Sequence, residues 1–153
     1  MRNVLFICEH NSARSQMAEA YLNHLAAGEL GAESAGLEPG SLNPNVIEVL
    51  KEDGIDISAN TTTSVFDLYK KGNHYDFVIV VCSEKAGARC PIFPGRVLRL
   101  HWPFDDPSAF TGTHDDILKQ TRTVRDAIKE KIIAFIDEYQ EKGLKMFIER
   151  EQK

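Results

Sequence analysis

The chain has 153 residues, the size of a single domain with a substantial hydrophobic core. With 42% hydrophobic and 27% charged residues it has the composition of an ordinary globular protein, and its longest apolar run is far too short to cross a bilayer. The net charge of −5 and the lack of a basic run argue against nucleic acid as a partner.

The three cysteines, Cys8, Cys82 and Cys90, are an odd number, which argues against a framework of structural disulfides. The five histidines do not stand at metal-ligand spacing from the cysteines, so no metal centre is predicted. The first three residues lead directly into a strand without a signal peptide, and a cytoplasmic location is therefore the default expectation.

The first predicted strand, residues 4–7, is apolar throughout, as is typical of a strand buried on both faces. A short polar loop follows, and then a helix from residue 12 or 14 to residue 27, ended by Gly28. The exposed side of this helix is predicted to carry Gln16, Glu19 and Asn23. Residues 32–35 predict a second short strand.

A second helix is predicted over residues 45–52, with Asn43 as its N-cap and Pro44 at its start. Residues 55–57 read as extended, and a cluster of threonine and serine at 61–64 is expected to cap a short helix at 65–70. Residues 77–82 are uniformly apolar and rich in β-branched side chains, which predicts a central strand ending at Cys82.

Residues 83–94 predict a flexible loop with at most one helical turn. A fourth short strand at 97–101 and a long amphipathic helix at 115–139 follow, and the charged tail after Lys142 is expected to fray or to extend that helix. Strands that alternate with helices predict βαβ units and a parallel sheet, in one α/β domain that spans residues 1–153.

The loop between the first strand and helix carries the strongest chemical signal. A strand that turns directly into a helix aims backbone N–H groups and the positive helix end at one point, which suits a tetrahedral oxyanion. Arg14 would clamp the anion with its forked guanidinium, and the same positive field would favour a reactive thiolate at Cys8. The predicted anion-binding residues are Glu9, His10, Asn11, Ser12, Ala13, Arg14 and Ser15.

Within this loop, Asn11 is suited to a left-handed turn and Ser15 to donating a hydrogen bond to the sulfur. Spacing alone leaves open that Cys8 is only a small buried hydrophobe, because Cys90 and Arg96 also stand six residues apart. That second pair encloses two prolines, which lack amide donors, and a strand rather than a helix follows it.

Cys8, Cys82 and the Asp105-Asp106 pair all follow predicted strands, and parallel sheets bind ligands beyond the carboxyl ends of their strands. A thiolate at Cys8 would attack the central atom of an oxyanion, and Asp106, with Asp105 second, would protonate the departing oxygen. Asp106 also suits a solvated turn or a helix N-cap, so that alternative stays open.

Two outcomes are possible after the attack by Cys8. Water would attack the covalent adduct in a phosphatase, whereas a second thiol would attack Cys8 and expel a reduced product. Cys82 follows the strand expected beside the first one, and Cys90 could then take over the disulfide from it. In the alternative, Cys82 is a buried strand residue and Cys90 an incidental loop thiol.

The run CEHNSARSQMAE at residues 8–19 resembles the active-site loop of the thioredoxin-coupled arsenate reductases, which share the low-molecular-weight protein tyrosine phosphatase fold. The resemblance extends to five further segments of the chain. These are Ser34-Ala35-Gly36, Asn43-Pro44, Asp56-Ile57-Ser58, the loop from residue 81 to residue 91, and residues 101–107. It implies a three-layer α/β sandwich in which helices flank a four-stranded parallel sheet.

The resemblance also implies roles for single residues. Cys8 would be the nucleophile and Arg14 the oxyanion clamp, with Asp106 as general acid. Cys82 would be the first resolving cysteine and Cys90 the second, and thioredoxin or a related thiol would reduce their disulfide. The implied substrate is arsenate or a phosphate-like oxyanion, and a monomer is expected.

Three features depart from the family pattern, and one of them is the spacing from Cys82 to Cys90, which is one residue longer than in some relatives. Glu9-His10 replaces a smaller Thr-Gly pair, and Asn11, Glu19 and Ser34 match potassium ligands of some relatives although Thr63 stands where an aspartate is expected. A phosphatase is the second hypothesis, but the tyrosine pair usual after its Asp-Pro is replaced by residues 108–110, Ser-Ala-Phe. A non-enzymatic oxyanion-binding module is the third.

Overall fold

A computed structural model describes residues 2–143 and 145–146. Its centre is a sheet of four parallel strands in the spatial order β2-β1-β3-β4. The strands are β1 (Arg2–Cys8), β2 (Leu30–Gly36), β3 (Phe77–Val80) and β4 (Leu98–His101). The chain leaves β1 toward one edge and later returns to its other side, so the strand order reverses between β1 and β3. Parallel sheets bind ligands at such a reversal.

Five α-helices and one 3-10 turn connect and flank these strands in the described part of the chain. They are α1 (Arg14–Leu25), α2 (Pro44–Lys51), α3 (Val65–Lys70), α4 (Glu84–Gly87), the 3-10 turn (Pro107–Ala109) and α5 (His114–Lys142). Both α1 and α2 pack against α5. The predicted α/β sandwich with a four-stranded parallel sheet is confirmed. Over the described residues, no helix combines the length and the apolar character needed to cross a membrane.

The central strands are buried on both faces, as their apolar sequences predict. Residues 4–7 of β1 are completely excluded from solvent, and β3 is buried along its whole length. The Phe77 ring meets Phe135 of α5 edge-on at 5.1 Å, and Trp102 meets the same ring at 5.4 Å. Each large apolar side chain buried in this way contributes about 1.5–3 kcal/mol. This core therefore fixes the strand ends on which the candidate site is built.

The predicted start of α2 is confirmed in detail. The Asn43 side chain accepts a hydrogen bond from the Asn45 amide at 2.9 Å, and Pro44 occupies the first helical turn. Helix α5 begins one residue before its predicted start, because Thr113 and Asp116 form a reciprocal capping box there. Segment 83–94 contains the single helical turn α4, as predicted.

The structure differs from the prediction at several boundaries. β1 and β2 extend beyond their apolar residues because backbone pairing continues from Arg2 with Leu30 to Cys8 with Gly36. β3 ends at Val80 rather than at residue 82, and α1 ends two residues early, at Leu25. Residues 55–57 join no strand. The prediction for the tail after residue 142 falls largely outside the described residues.

The predicted exposure of Gln16 is wrong. Its side chain is only 1% exposed, although it lies in the first turn of α1. Its amide turns inward to hydrogen-bond the loop that precedes the helix, instead of facing solvent.

Candidate active site

The loop between β1 and α1 is held by backbone hydrogen bonds from the segment that follows β2. The amides of Leu37, Glu38, Gly40 and Asn43 donate to the carbonyl oxygens of residues 8, 9, 10 and 12 at distances of 2.8–3.1 Å. The C=O and N–H groups of a peptide plane point in opposite directions. A loop whose carbonyls are tied outward therefore presents its N–H groups to the inner side, where they can surround an anion.

This close approach of loop and sheet requires a glycine at the end of β2. A Cβ atom on Gly36 would lie 2.7 Å from the Asn11 nitrogen and 2.8 Å from the carbonyl carbon of His10. Both are backbone atoms, which cannot swing aside as a flexible side chain can. A side chain at this position would therefore push the loop away from the sheet.

The Cys8 sulfur is buried inside the loop and surrounded by donors. The Asn11 amide donates to Sγ at 3.1 Å, and the Ser15 hydroxyl oxygen lies 2.9 Å from the same sulfur. Asn11 has a φ angle of 55°, the left-handed conformation predicted for it, which turns its N–H back toward the cysteine. Such donors support negative charge on the sulfur.

The buried Asn11 side chain ties this loop to its surroundings through four hydrogen bonds. Its Nδ2 donates to the Ser15 hydroxyl at 2.8 Å and to the Ser34 hydroxyl at 2.9 Å. Its Oδ1 accepts from the Thr63 amide at 2.9 Å and from the Gln16 amide group at 3.2 Å. The loop is therefore fixed to α1, to β2 and to the segment before α3, which holds Asn11 in its uncommon conformation.

Arg14, the first residue of α1, reaches across to the segment after β4. Its Nη1 donates to the Phe104 carbonyl at 3.1 Å, and its Nη2 lies 3.6 Å from the Asp106 carboxylate. Its Nε is buried without a hydrogen-bond partner. A buried unpaired donor costs about 1–3 kcal/mol, and an oxyanion that accepts from it would remove that cost.

Asp106 combines two interpretations that the sequence left as alternatives. Its carboxylate accepts from the Ser108 amide at 3.0 Å and so caps the 3-10 turn. The same carboxylate faces Arg14 and, with Cys8, lines one pocket. The cap fixes its direction, which places a carboxyl group across from the sulfur.

This pocket is lined by Cys8, Arg14 and Asp106, together with His10, Ser12, Ala13 and Ser108. Its volume is about 10 Å3, close to the space that one water needs. The Arg14 guanidinium donates to the Phe104 carbonyl, so an entering oxyanion must take the place of that carbonyl as the hydrogen-bond acceptor. A larger cavity of about 420 Å3, lined by Thr111, Asp116, Lys119, Gln120 and Thr123, contains no cysteine.

Glu9 and His10 lie at the outer side of the loop. The Nδ1 of His10 donates to the Glu38 carbonyl at 2.9 Å, and its Nε2 lies 4.0 Å from the Glu9 carboxylate. His10 lines the pocket, whereas Glu9 is not among the lining residues. These two side chains therefore lie at the rim of the pocket.

Cys82 and Cys90 are buried at the same end of the sheet as Cys8, and all three are free thiols. Ile7 of β1 pairs with Val80 of β3, so Cys8 and Cys82 follow neighbouring strands. Burial, helped by the charge of Cys8, raises the pKa of Cys82 to about 11. Burial also raises the pKa of Cys90. Both resolving candidates are therefore protonated thiols at neutral pH.

Glu19, Ser34 and Thr63 line a polar pocket behind the loop, where the family pattern suggests potassium. Potassium is coordinated by oxygen atoms. Here the Asn11 amide nitrogen faces Ser34, because the Asn11 oxygen accepts the Thr63 amide, and position 63 supplies no carboxylate. These residues therefore do not fit a potassium site in this arrangement. Burial raises the pKa of Glu19 to about 7, which favours a proton on that carboxyl group.

Three supports of the site were missed from the sequence. The Gln16 side chain contacts Asn11, and the Phe104 carbonyl contacts Arg14. Ser108 lines the pocket. A glutamine in a first helical turn indicates an exposed position, and a backbone carbonyl has no residue-type signal at all. No pattern in the sequence identified these contacts.

The site combines a cysteine in an amide-lined loop at the end of a parallel strand, an arginine at the start of the following helix, and an aspartate that lines the same pocket. This combination defines a class of cysteine-dependent phosphatases. The low molecular weight phosphotyrosine protein phosphatase model matches residues 3–145, and the chain belongs to that family.

Within this family, the relatives that the chain matches in sequence and in structure include several arsenate reductases. The chain is 40% identical to the arsenate reductase of Shouchella clausii, over 88% of this chain and 94% of that protein. A solved arsenate reductase in the oxidized state has 32% identity and a TM-score of 0.75, covering 90% of this chain and 98% of that one. A thioredoxin-dependent arsenate reductase of Corynebacterium glutamicum has 30% identity and a TM-score of 0.59, covering 88% and 63%.

Proposed function

We propose that this chain is an arsenate reductase that reduces arsenate to arsenite through Cys8, Cys82 and Cys90. One observation carries the proposal: the Cys8 sulfur, held by the Asn11 amide, shares a pocket with Arg14, whose buried Nε–H is unpaired. A tetrahedral oxyanion supplies the acceptor that this donor lacks. The two further buried thiols at the same sheet end and the arsenate reductase relatives support reduction.

In the first step the Cys8 thiolate attacks arsenic. A sulfur–arsenic bond forms and an arsenic–oxygen bond breaks. Asp106 gives its proton to the departing oxygen, which leaves as water. Arg14 and the inward-facing loop amides stabilise the negative charge on the remaining oxygens throughout the step.

In the second step Cys82 loses its proton and attacks the Cys8 sulfur. The sulfur–arsenic bond breaks, and its electron pair stays on arsenic, which becomes trivalent and leaves as arsenite. A Cys8–Cys82 disulfide forms, so the two electrons gained by arsenic come from the two sulfurs. Because the pKa of Cys82 is about 11, this step requires deprotonation at the moment of attack.

In the third step Cys90 loses its proton to water and attacks Cys82 as a thiolate. The Cys8–Cys82 bond breaks, the Cys8 thiolate is released, and a Cys82–Cys90 disulfide remains. Thioredoxin or a related thiol reductant then reduces this disulfide and returns all three cysteines to thiols. The thioredoxin-dependent relative supports this choice of reductant.

The experiment is disulfide mapping after a single exposure to arsenate. Reduced protein is treated with arsenate, quenched with an alkylating agent, digested and analysed by mass spectrometry, with phosphate as the matched control anion. We expect a Cys82–Cys90 disulfide with arsenate only, and a trapped Cys8–Cys82 disulfide in the Cys90→Ser variant. A Cys8 thiol that stays free in that variant after arsenate treatment would rule out this order of steps.

Phosphatase activity is the second candidate, because the matching family model is that of a phosphatase. Cys8, Arg14 and Asp106 alone suffice for it, since water would then attack the phosphocysteine. Hydrolysis of an aryl phosphate by the Cys82→Ser/Cys90→Ser double variant measures it. Fast turnover in that variant, together with no arsenate-dependent disulfide in the parent, would favour this function over reduction.

We also propose that the protein acts as a monomer in the cytoplasm and without a cofactor. A relay that starts from three free thiols requires a reducing compartment. Size-exclusion chromatography with light scattering tests the monomer, and activity after exhaustive dialysis against a chelator tests the independence from metal.

A further inference from the structure

β4 directs two polar side chains at the segment that joins Cys82 to Cys90. Arg99 and His101 alternate with buried leucines along this strand, so they share one face. The His101 Nε2 donates to the Cys82 carbonyl at 2.6 Å, and the Arg99 Nη2 donates to the Gly87 carbonyl at 2.6 Å. β4 therefore holds this segment at two points, one before α4 and one at its end.

The Gly87 carbonyl links Arg99 to the last cysteine. It accepts a hydrogen bond from the Arg99 guanidinium and another from the Cys90 amide, the latter at 3.1 Å. A Cβ atom on Gly87 would lie 2.9 Å from Cγ1 of Val80, so only glycine lets α4 lie this close to β3. This close approach keeps the carbonyl within reach of Arg99 on the neighbouring strand.

Arg99 also acts on the Cys90 sulfur itself. Burial raises the pKa of Cys90, and the charge of Arg99 is the main opposing influence. The charge of Arg89 acts in the same direction more weakly, and the charge of Cys8 acts with burial. Among these groups, Arg99 is the one that also holds the backbone of the segment, through the Gly87 carbonyl.

We propose that Arg99 is a positioning residue for the second thiol exchange: it holds Cys90 in place through the Gly87 carbonyl and stabilises negative charge on its sulfur. The inference rests on the proposed relay. In that exchange the Cys90 thiolate attacks Cys82, the Cys8–Cys82 bond breaks, and the electron pair leaves on Cys8.

The first test isolates Cys90 in the full-length chain. With Cys8→Ser and Cys82→Ser, Cys90 is the only thiol left, because the sequence has three cysteines. Its alkylation by iodoacetamide is followed by mass spectrometry from neutral to alkaline pH. The midpoint of this profile reports how easily the sulfur becomes charged, whereas its plateau reports how accessible the sulfur is to iodoacetamide. A purely structural role of Arg99 would change the plateau and leave the midpoint where it is.

Arg99→Gln is expected to move the midpoint to higher pH and to slow alkylation at neutral pH about fivefold. Arg99→Lys keeps the charge and is expected to restore most of the neutral rate. Arg89→Gln is the matched control, since Arg89 precedes Cys90 but pairs with Glu38 at 3.1 Å; its midpoint shift should be smaller. An unmoved midpoint in Arg99→Gln, or an equal shift in Arg89→Gln, would overturn the proposal. Circular dichroism verifies that each variant is folded. If Arg99→Gln is not folded, Arg99→Met, which keeps the apolar part of the side chain and lacks the charge, replaces it and must show the same midpoint shift.

The second test uses the chain with all three cysteines. After arsenate treatment, Arg99→Gln should convert the Cys8–Cys82 disulfide to Cys82–Cys90 about fivefold more slowly than the parent. If the parent itself forms no disulfide, the relay is wrong, while the alkylation profile still decides what Arg99 does to Cys90. If the parent forms both disulfides and Arg99→Gln converts them at the parental rate, only the role of Arg99 is refuted.

Discussion

Replacing Arg14 with lysine separates anion binding from stability. The variant keeps a positive charge but loses the fork of parallel donors. Without an anion, it loses the charge-assisted hydrogen bond to the Phe104 carbonyl, about 1.5–3 kcal/mol, and also removes the unpaired Nε–H, which costs about 1–3 kcal/mol. These effects oppose each other. We therefore expect the free energy of unfolding to change by no more than about 2 kcal/mol.

With phosphate bound, the two side chains differ much more. Arginine can donate two parallel charge-assisted hydrogen bonds to the anion, whereas lysine supplies a point charge. The loss of one such bond is worth about 1.5–3 kcal/mol. We therefore expect the phosphate dissociation constant to rise by about tenfold to 150-fold in Arg14→Lys.

Isothermal titration calorimetry with inorganic phosphate measures the binding, and urea unfolding without phosphate measures the stability. Arg89→Lys is the matched control, because Arg89 is an exposed arginine whose partner is Glu38 rather than the pocket. It should leave both quantities unchanged. A phosphate affinity in Arg14→Lys within twofold of the parent would refute the reasoning, because the unpaired Nε–H would then have no part in anion binding.

Three further predictions test other parts of the site. Burial raises the pKa of Glu19 from 4.5 to about 7. Between these two pH values the folded chain holds a proton that the unfolded chain has already released. The free energy of unfolding should therefore fall by about 3 kcal/mol as the pH rises from 4.5 to about 7. Glu19→Gln should flatten this dependence in urea unfolding, and an unchanged slope would contradict it. Gly36→Ala should abolish phosphate binding and cost about 1–3 kcal/mol, since its Cβ would lie 2.7 Å from the Asn11 nitrogen. Gly72→Ala has open space around it but a φ of 74°, so it should cost about 1 kcal/mol of stability and keep the phosphate binding. Asp106→Asn should retain phosphate binding but slow arsenate-dependent disulfide formation by about 100-fold to 10,000-fold, measured by quenched mass spectrometry, and a parental rate would exclude Asp106 as the acid.

The sequence predicted the parts of this molecule that depend on short-range pattern. Apolar runs identified β1 and β3, and the alternation of strands with helices predicted the parallel sheet. Cys8, Arg14 and Asp106 could be placed at one edge because parallel strands end together there. The left-handed turn at Asn11 followed from the preference of asparagine for that conformation.

The remaining features depend on contacts that no local pattern encodes. Gln16 is buried because Asn11 happens to offer it an acceptor, and Arg14 meets a backbone carbonyl at residue 104. The contact of Arg99 with the Gly87 carbonyl likewise requires two segments that meet only after folding. Such contacts leave no trace in residue type, and sequence reasoning therefore identified the chemical groups but not their supports.

The three cysteines occupy two kinds of place in the fold. Cys8 and Cys82 directly terminate or follow the two innermost strands, whereas Cys90 lies beyond a single helical turn. In the proposed relay, the strand ends capture the oxyanion, and the segment that carries Cys90 passes on the reducing equivalents. The oxyanion pocket is lined without any residue of that segment, so one scaffold suits both hydrolytic and reductive chemistry.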